Sequence, residues 1–228
     1  MKNRISKPKG QIVIAPSMLS ADLYNLGSEI KEVETAGADW LHLDVMDGHF
    51  VDNLSFGPAF ASHIRKNSEI PLDVHLMVTN PSKFIEPFAK AGADLITIHL
   101  ESEGDTHETL KQIKKQKVKR GLSIRPNSDI MSIRPFLKEV DLVLLMSVNP
   151  GFGGQGFMPE SIERIKQLRA LIKESGKPIW LEVDGGINKD TITKVVQAGA
   201  DALVAGNAIF GNGDSHQQLR ELKDIFKN

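Results

Sequence analysis

The sequence of 228 residues predicts a single α/β domain closed as a (β/α)8 TIM barrel, and three observations predict it: eight short apolar runs, helix-like stretches between them, and a recurring tetrapeptide. Parallel strands require crossover segments, so regular alternation of strand and helix implies a parallel sheet, and eight repeats imply closure into a barrel. An open, doubly wound sheet is the other architecture that alternation allows.

The tetrapeptide Ala-Gly-Ala-Asp occurs at Ala36–Asp39, Ala91–Asp94 and Ala198–Asp201, each time between a helical stretch and an apolar run. Its glycines fit the residue just past a helix, where a left-handed conformation is inexpensive without Cβ. The spacings of 55 and 107 residues divide into about two and four units of roughly 27, the size of one strand plus its crossover helix.

The apolar runs place strands at Ile12 to Pro16, Trp40 to Met46, Leu72 to Met77, Leu95 to His99, Lys119 to Ile124, Leu142 to Ser147, Ile179 to Asp184 and Ala202 to Ala205. All are short and rich in Val, Ile and Leu. Between the sixth and seventh, Pro159 to Glu174 reads as a helix with Ile162, Ile165, Leu168 and Ile172 on one face. Residues 1–10 carry four basic side chains and are expected to form a disordered tail, leaving 11–228 as the barrel.

Composition narrows the function. Lys plus Arg total 28 against 29 for Asp plus Glu, so no net field attracts nucleic acid or an anionic membrane. No stretch has the apolar length of a membrane helix and the start lacks the apolar segment of a signal peptide, so a cytoplasmic protein acting on a small molecule is expected. There is no cysteine; any metal must be held by histidine and carboxylate.

Side chains alternate faces along a strand. In the second strand His42, Asp44 and Met46 therefore point together, and in the third Asp73, His75 and Met77 do the same. Asp184 ends the seventh strand, just before Gly185 and Gly186. Catalytic groups of this architecture sit at the C-terminal ends of strands, so His42, Asp44, His75 and Asp184 form a plausible site for a divalent ion. Isolated histidines are more often hydrogen-bonded core residues, and His49, His63, His99, His107 and His216 receive that reading. Two same-face His/Asp pairs on neighbouring strands resist it, because unpaired buried polar groups cost several kcal/mol each.

A second signal is Pro150-Gly-Phe-Gly-Gly-Gln-Gly156 after the sixth strand. With Gly185-Gly186 and Gly206-Asn207 it makes three consecutive glycine-bearing turns where such barrels bind phosphate. Gly151, Phe152, Gly153, Gly154, Gly185, Gly186, Gly206 and Asn207 are the candidate phosphate-side residues.

These residues resemble the ribulose-phosphate 3-epimerase family, from Ile14 to about Phe210. The resemblance is carried by Ala15-Pro-Ser-Met-Leu-Ser-Ala-Asp22, Leu41-His-Leu-Asp-Val-Met-Asp-Gly-His-Phe-Val51, Val74-His-Leu-Met-Val78, Val148-Asn-Pro-Gly-Phe-Gly-Gly-Gln155 and Glu182-Val-Asp-Gly-Gly-Ile187. It implies reversible epimerisation at carbon 3 of D-ribulose 5-phosphate to D-xylulose 5-phosphate, a step of the pentose phosphate pathway. It further implies one divalent metal on His42, Asp44, His75 and Asp184, commonly zinc or iron, with manganese or cobalt also suited to those ligands. Asp44 and Asp184 would shuttle protons, Ser17 would contact the substrate, the glycine turns would bind its phosphate, and the chain would assemble as a homo-oligomer as relatives commonly do. Three positions depart from the family pattern: Arg125-Pro-Asn-Ser128 replaces Asn-Pro, a small residue and Thr; Asn207 replaces Ser; Asp52 replaces Pro.

Inversion next to a carbonyl needs a proton taken from one face and another given to the opposite face, which suits two carboxylates on well-separated strands. The metal would stabilise the enediolate as a Lewis acid. Met46, Met77 and Met146 would face the same pocket and shield the intermediate from water, although core packing explains them equally well. Rival readings are an epimerase for another ketose phosphate such as a hexulose 6-phosphate, a metal-independent decarboxylase or lyase, and a non-catalytic sugar-phosphate sensor. The lyase would normally need a lysine beside its carboxylates, and the second and third strands offer no inward one.

Overall fold

The computed structural model describes residues 4–211 and 213–226. Its eight strands are β1 (Val13–Pro16), β2 (Leu41–Met46), β3 (Leu72–Met77), β4 (Leu95–His99), β5 (Lys119–Ile124), β6 (Leu142–Met146), β7 (Trp180–Asp184) and β8 (Ala202–Ala205). All neighbours are parallel, in the order β1-β8-β7-β6-β5-β4-β3-β2. A parallel bridge between Ser17 and His42 joins the two edges, so the predicted barrel is nearly closed. Expected strand limits hold to within one residue.

The outer ring comprises α1 (Leu26–Ala36), α2 (Pro58–Asn67), α3 (Ile85–Ala91), α4 (Thr106–Lys115), α5 (Ser161–Ser175), α6 (Ile192–Ala198), α7 (Asn207–Phe210) and α8 (Ser215–Asp224). After β5 the crossover is instead a 3-10 helix, Ile130–Phe136, with Pro135 inside it. Proline lacks the N–H that an α-helix interior needs. α5 begins two residues later than its periodicity suggests, but buries Ile165, Leu168 and Ile172 as expected.

The Ala-Gly-Ala-Asp repeat does more than end helices. Gly37, Gly92 and Gly199 have φ of 92°, 103° and 121°, and the next alanine N–H reaches back to the helix at Val33, Phe88 and Val195. Each aspartate then exchanges two hydrogen bonds with one residue of the preceding odd strand. Asp39 accepts from Ile14 N and donates to Ile14 O; Asp94 does so with Leu72, and Asp201 with Leu181. Asp141 makes the same exchange with Arg120 outside any such tetrapeptide. These aspartates also meet Lys223, Arg65, Arg169 and the Lys119/Arg120 pair, respectively for Asp39, Asp94, Asp201 and Asp141. The N-terminal end of the barrel is thereby stapled at every odd strand.

Alternation sorts the apolar residues into two cores. Leu41, Leu43 and Val45 of β2, with Leu72, Val74 and Leu76 of β3, pack outward against the helices. Inside the barrel Trp40, Leu95, Leu142, Leu144, Trp180 and Ala202 fill the lower layers, with Trp40 and Trp180 edge-to-face at 5.1 Å. Ile5 belongs to this inner cluster and is buried, Trp180 Nε1 donates to Ser6 O, and Arg4 donates to Glu69 and Asp94. The expectation of a disordered tail is therefore corrected from Arg4 to Ser6, since an open barrel floor offers apolar surface that the passing chain buries. Residues 1–3 lie outside the described residues.

Candidate active site

The register of β2 on β3 sets His42 beside Asp73, Asp44 beside His75 and Met46 beside Met77. Across the barrel β6 and β7 set Met146 beside Asp184 and Leu144 beside Glu182. The predicted quartet meets: one ligand atom from each of His42, Asp44, His75 and Asp184 lies within 4.8 Å of the others. His42 Nε2 stands 3.3 Å from Asp44 Oδ1, while His75 Nδ1 stands 3.4 Å from Asp44 Oδ1 and 3.9 Å from Asp184 Oδ2. Both nitrogens are buried without a hydrogen-bond partner, an arrangement that is costly unless something with positive charge accepts their lone pairs. Two imidazoles and two carboxylates at this spacing fit a divalent cation.

The deeper nitrogen of His42 explains its orientation. His42 Nδ1 lies 2.6 Å from Asp73 Oδ2; an ionised carboxylate only accepts, so the proton sits on Nδ1 and Nε2 turns its lone pair to the quartet. Below lies Glu182, fully buried beside Asp73. Burial first, and then the Asp73 carboxylate, push Glu182 well above the usual carboxylate range. Asp73 shares a face of β3 with His75, and Glu182 shares one of β7 with Asp184, but sequence offers no measure of their depth and gives neither a role.

His75 is held differently. Its Nε2 lies 2.8 Å from His99 Nε2, the two rings stacked with centroids 5.0 Å apart. His99 Nδ1 is 3.2 Å from Glu101 Oε2, and Glu101 also accepts from the Arg125 amide and the Ser128 hydroxyl. Burial pushes His99 down to about 4. Although burial opposes it, hydrogen bonding from His99, Ser128 and Arg125 holds Glu101 at about 2. Of the five histidines expected as hydrogen-bonded core residues, His99 alone is buried; His49 and His63 are exposed, and His107 and His216 are half-buried.

The two candidate proton carriers differ in environment. Burial would raise Asp44, yet His42 and His75 outweigh it and hold its carboxyl far below the ordinary range; the Ser17 hydroxyl donates to Asp44 Oδ2 at 2.6 Å. Asp184 has weaker support: burial followed by the nearby Asp44 charge outweighs His42 and pushes it up to about 7.

Above the quartet opens a cavity of about 380 Å³. Ser17, Asp44, Asp184 and the three methionines Met46, Met77 and Met146 form its base, and the expected turn residues Gly151, Phe152, Gly153, Gly154, Gly185, Gly186, Gly206 and Asn207 all line its outer end. His42 and His75 sit behind this wall, fully buried. The Gly186 turn must be glycine: φ is 65°, and a Cβ there would meet Phe157 N at 2.3 Å. Ser20 also lines the outer end, its hydroxyl filling the space beside Gly206; it lies inside the first quoted motif but carried no recognised signal. Of the departures, Asn207 lines the cavity and Asp52 is exposed. Arg125 stacks 4.1 Å above the Phe50 ring and donates to Phe50 O, tethering the turn after β2.

Known proteins resemble this chain over most of its length. The profile of the Ribulose-phosphate 3 epimerase family matches residues 13–210. The ribulose-phosphate 3-epimerase of Bacillus subtilis (strain 168) is 46% identical over 213 residues, covering 93% of this chain and 98% of that protein. Its namesake in Aquifex aeolicus (strain VF5) is 44% identical, covering 93% and 96%. Among solved structures, orotidine 5'-phosphate decarboxylase from Pyrococcus horikoshii OT3 superposes with a TM-score of 0.71 at 13% identity, covering 95% of this chain and 100% of that one. 3-Hexulose-6-phosphate synthase gives 0.67 at 17%, covering 94% and 99%. At such identities these two show the barrel alone.

Proposed function

The chain belongs to the ribulose-phosphate 3-epimerase family and is an epimerase; on that premise we propose a cation-dependent inversion of carbon 3 of D-ribulose 5-phosphate to D-xylulose 5-phosphate, with Asp44 and Asp184 as the two proton carriers. The observation that carries this reading is the convergence of His42 Nε2, His75 Nδ1 and both aspartates within 4.8 Å at the floor of a cavity whose outer end is three glycine turns.

Asp44 and Asp184 come from well-separated strands, so one takes the proton from carbon 3 as carboxylate while the other, protonated, returns one on the opposite face, and the roles exchange with the direction of reaction. His42, Asp44, His75 and Asp184 would hold the cation, which supplies Lewis-acid neutralisation of the charge that builds on the substrate oxygens. Ser17 is positioned to orient Asp44 and meet a substrate hydroxyl. Met46, Met77 and Met146 keep water from the reacting carbon without offering protons. The backbone amides of the turns at Gly151–Gly154, Gly185–Gly186 and Gly206–Asn207 receive the phosphate.

The family resemblance favours zinc or iron(II), and the ligands suit manganese and cobalt as well. Among the described residues no helix is long and apolar enough to cross a membrane, and the reading includes a cytoplasmic homo-oligomer. The deciding experiment follows ribulose 5-phosphate in D2O, before and after chelation, with metal analysis of the protein. Deuterium should enter at carbon 3, stop entering after chelation, and resume on adding back the cation. Undiminished exchange in metal-free protein would sink the cation's role, and no exchange under any condition would sink the epimerisation.

A further inference from the structure

We propose that His99 and Glu101 are positioning residues for the cation: Glu101 sets the tautomer of His99, His99 sets that of His75, and His75 is thereby made to present Nδ1 to the site. This rests on the cation reading above and extends it to two residues outside the quartet.

Counting protons along these contacts fixes both tautomers. Glu101 Oε2 faces His99 Nδ1 at 3.2 Å, and a carboxylate is satisfied only by a donor, so the His99 proton is on Nδ1. A neutral His99 then has a bare Nε2. That nitrogen is 2.8 Å from His75 Nε2, so the contact is a hydrogen bond only when His75 carries its proton on Nε2. His75 Nδ1 is left bare, and it is this buried, unpartnered nitrogen that faces Asp44 and Asp184. The opposite tautomer of His75 would set two lone pairs against each other at 2.8 Å, or would require His99 to turn a lone pair toward Glu101. One neutral arrangement satisfies the Glu101–His99 and His99–His75 contacts together, and it leaves His75 Nδ1 free for a cation.

Packing keeps the two imidazoles dry, while Glu101 reaches the surface. His75 and His99 are buried, and the Phe50 ring covers His99 with centroids 4.8 Å apart. Strand register accounts for the extra link. His42 lies level with Asp73 and takes its carboxylate directly. His75 instead lies level with Thr97 of β4, so its outer nitrogen must be reached from one step nearer the mouth, by His99. Glu101, two residues on, is then fixed by Arg125 N–H and the Ser128 hydroxyl, so the segment that departs from the family pattern anchors the far end. Partners of this kind on ligating histidines typically alter metal affinity about 10- to 100-fold when removed.

Two measurements test the proposal on the full chain. In nitrogen-15 NMR of wild-type protein labelled at histidine, His75 should be found as the Nε2–H tautomer and His99 as the Nδ1–H tautomer; a His75 proton on Nδ1 overturns the proposal without any variant being made. Separately, metal-stripped wild type, Glu101→Gln and His99→Phe are titrated with Co2+ while its visible ligand-field bands are followed. Both variants should bind Co2+ about 10- to 100-fold more weakly and with shifted bands, Glu101→Gln less severely. Variants that lose thermal stability but bind Co2+ as wild type does would reduce His99 and Glu101 to packing residues and overturn the proposal, while leaving the cation reading standing. A wild type that takes up no Co2+ overturns the cation reading and this proposal with it. Should His99→Phe not fold, Glu101→Gln and the tautomer measurement decide.

Discussion

Asp44 and Asp184 are the same side chain in opposite surroundings, and the difference has consequences beyond catalysis. A carboxyl whose pKa of about 7 in the fold exceeds the ordinary 3.8 binds its proton more tightly when folded, so ionising it removes stability as pH rises from about 3.8 through about 7. Metal-free Asp184→Asn should therefore be more stable than metal-free wild type at pH 8, by on the order of 1 to 3 kcal/mol, and about equal near pH 3; urea unfolding at both pH values reads this. The same variant should lose turnover by about a thousandfold or more while its circular dichroism is unchanged, and near-normal activity would overturn the two-carboxylate scheme. Glu101 has the reverse sign. Its pKa of about 2 lies below the ordinary 4.5, so its contribution is fully present above about pH 4.5 and is lost as pH falls toward 2. Glu101→Gln should flatten the loss of stability in that window, measured by unfolding at a series of acid pH values.

At the scale of elements, the strands decide which residues meet and the turns decide what they can hold. Asp94 accepts Leu72 N–H and pairs with Arg65, so Asp94→Ala strands an amide and a guanidinium together. It should cost about 3 kcal/mol or more in chemical denaturation with kcat/KM preserved, because the staple lies at the barrel end opposite the cavity. Gly186→Ala acts at the other end. The new methyl must displace the Phe157 backbone and strain a φ of 65°, deforming the turn proposed to hold phosphate. KM for ribulose 5-phosphate should rise at least about tenfold, whereas Co2+ affinity should be retained; an unchanged KM would remove this turn from the phosphate site. Much of this scale is legible in sequence. Leu41 to Met46 declares its two faces by alternation, and the tetrapeptide marks helix ends by glycine. The 3-10 crossover over Ile130–Phe136 is harder to read, because its apolar pattern resembles a helix and only Pro135 objects.

Over the whole molecule, the barrel is a tube with a polar floor to its site and an apolar plug beneath. Ile5 closes the bottom against the layer that contains Trp40 and Trp180. Deleting residues 1–6 should open that layer to water, lower stability by about 2 kcal/mol or more and move tryptophan emission to longer wavelength, both tryptophans of the chain lying there. Catalysis at the far end should keep its KM. Composition alone determined much about this protein: without cysteine, only histidine and carboxylate could form a metal site, and period-two alternation set His42, Asp44, His75 and Asp184 on inward faces near strand ends. Those properties are local, fixed by residue type and by neighbours one or two positions away. Tertiary structure alone decided the rest: that Asp73 fixes His42 while His99 and Glu101 stand behind His75, that Asp44 and Asp184 differ in proton affinity, and that Ile5 is buried rather than free. Each depends on distances between residues tens of positions apart and on the exclusion of water, which exist only once the barrel has closed.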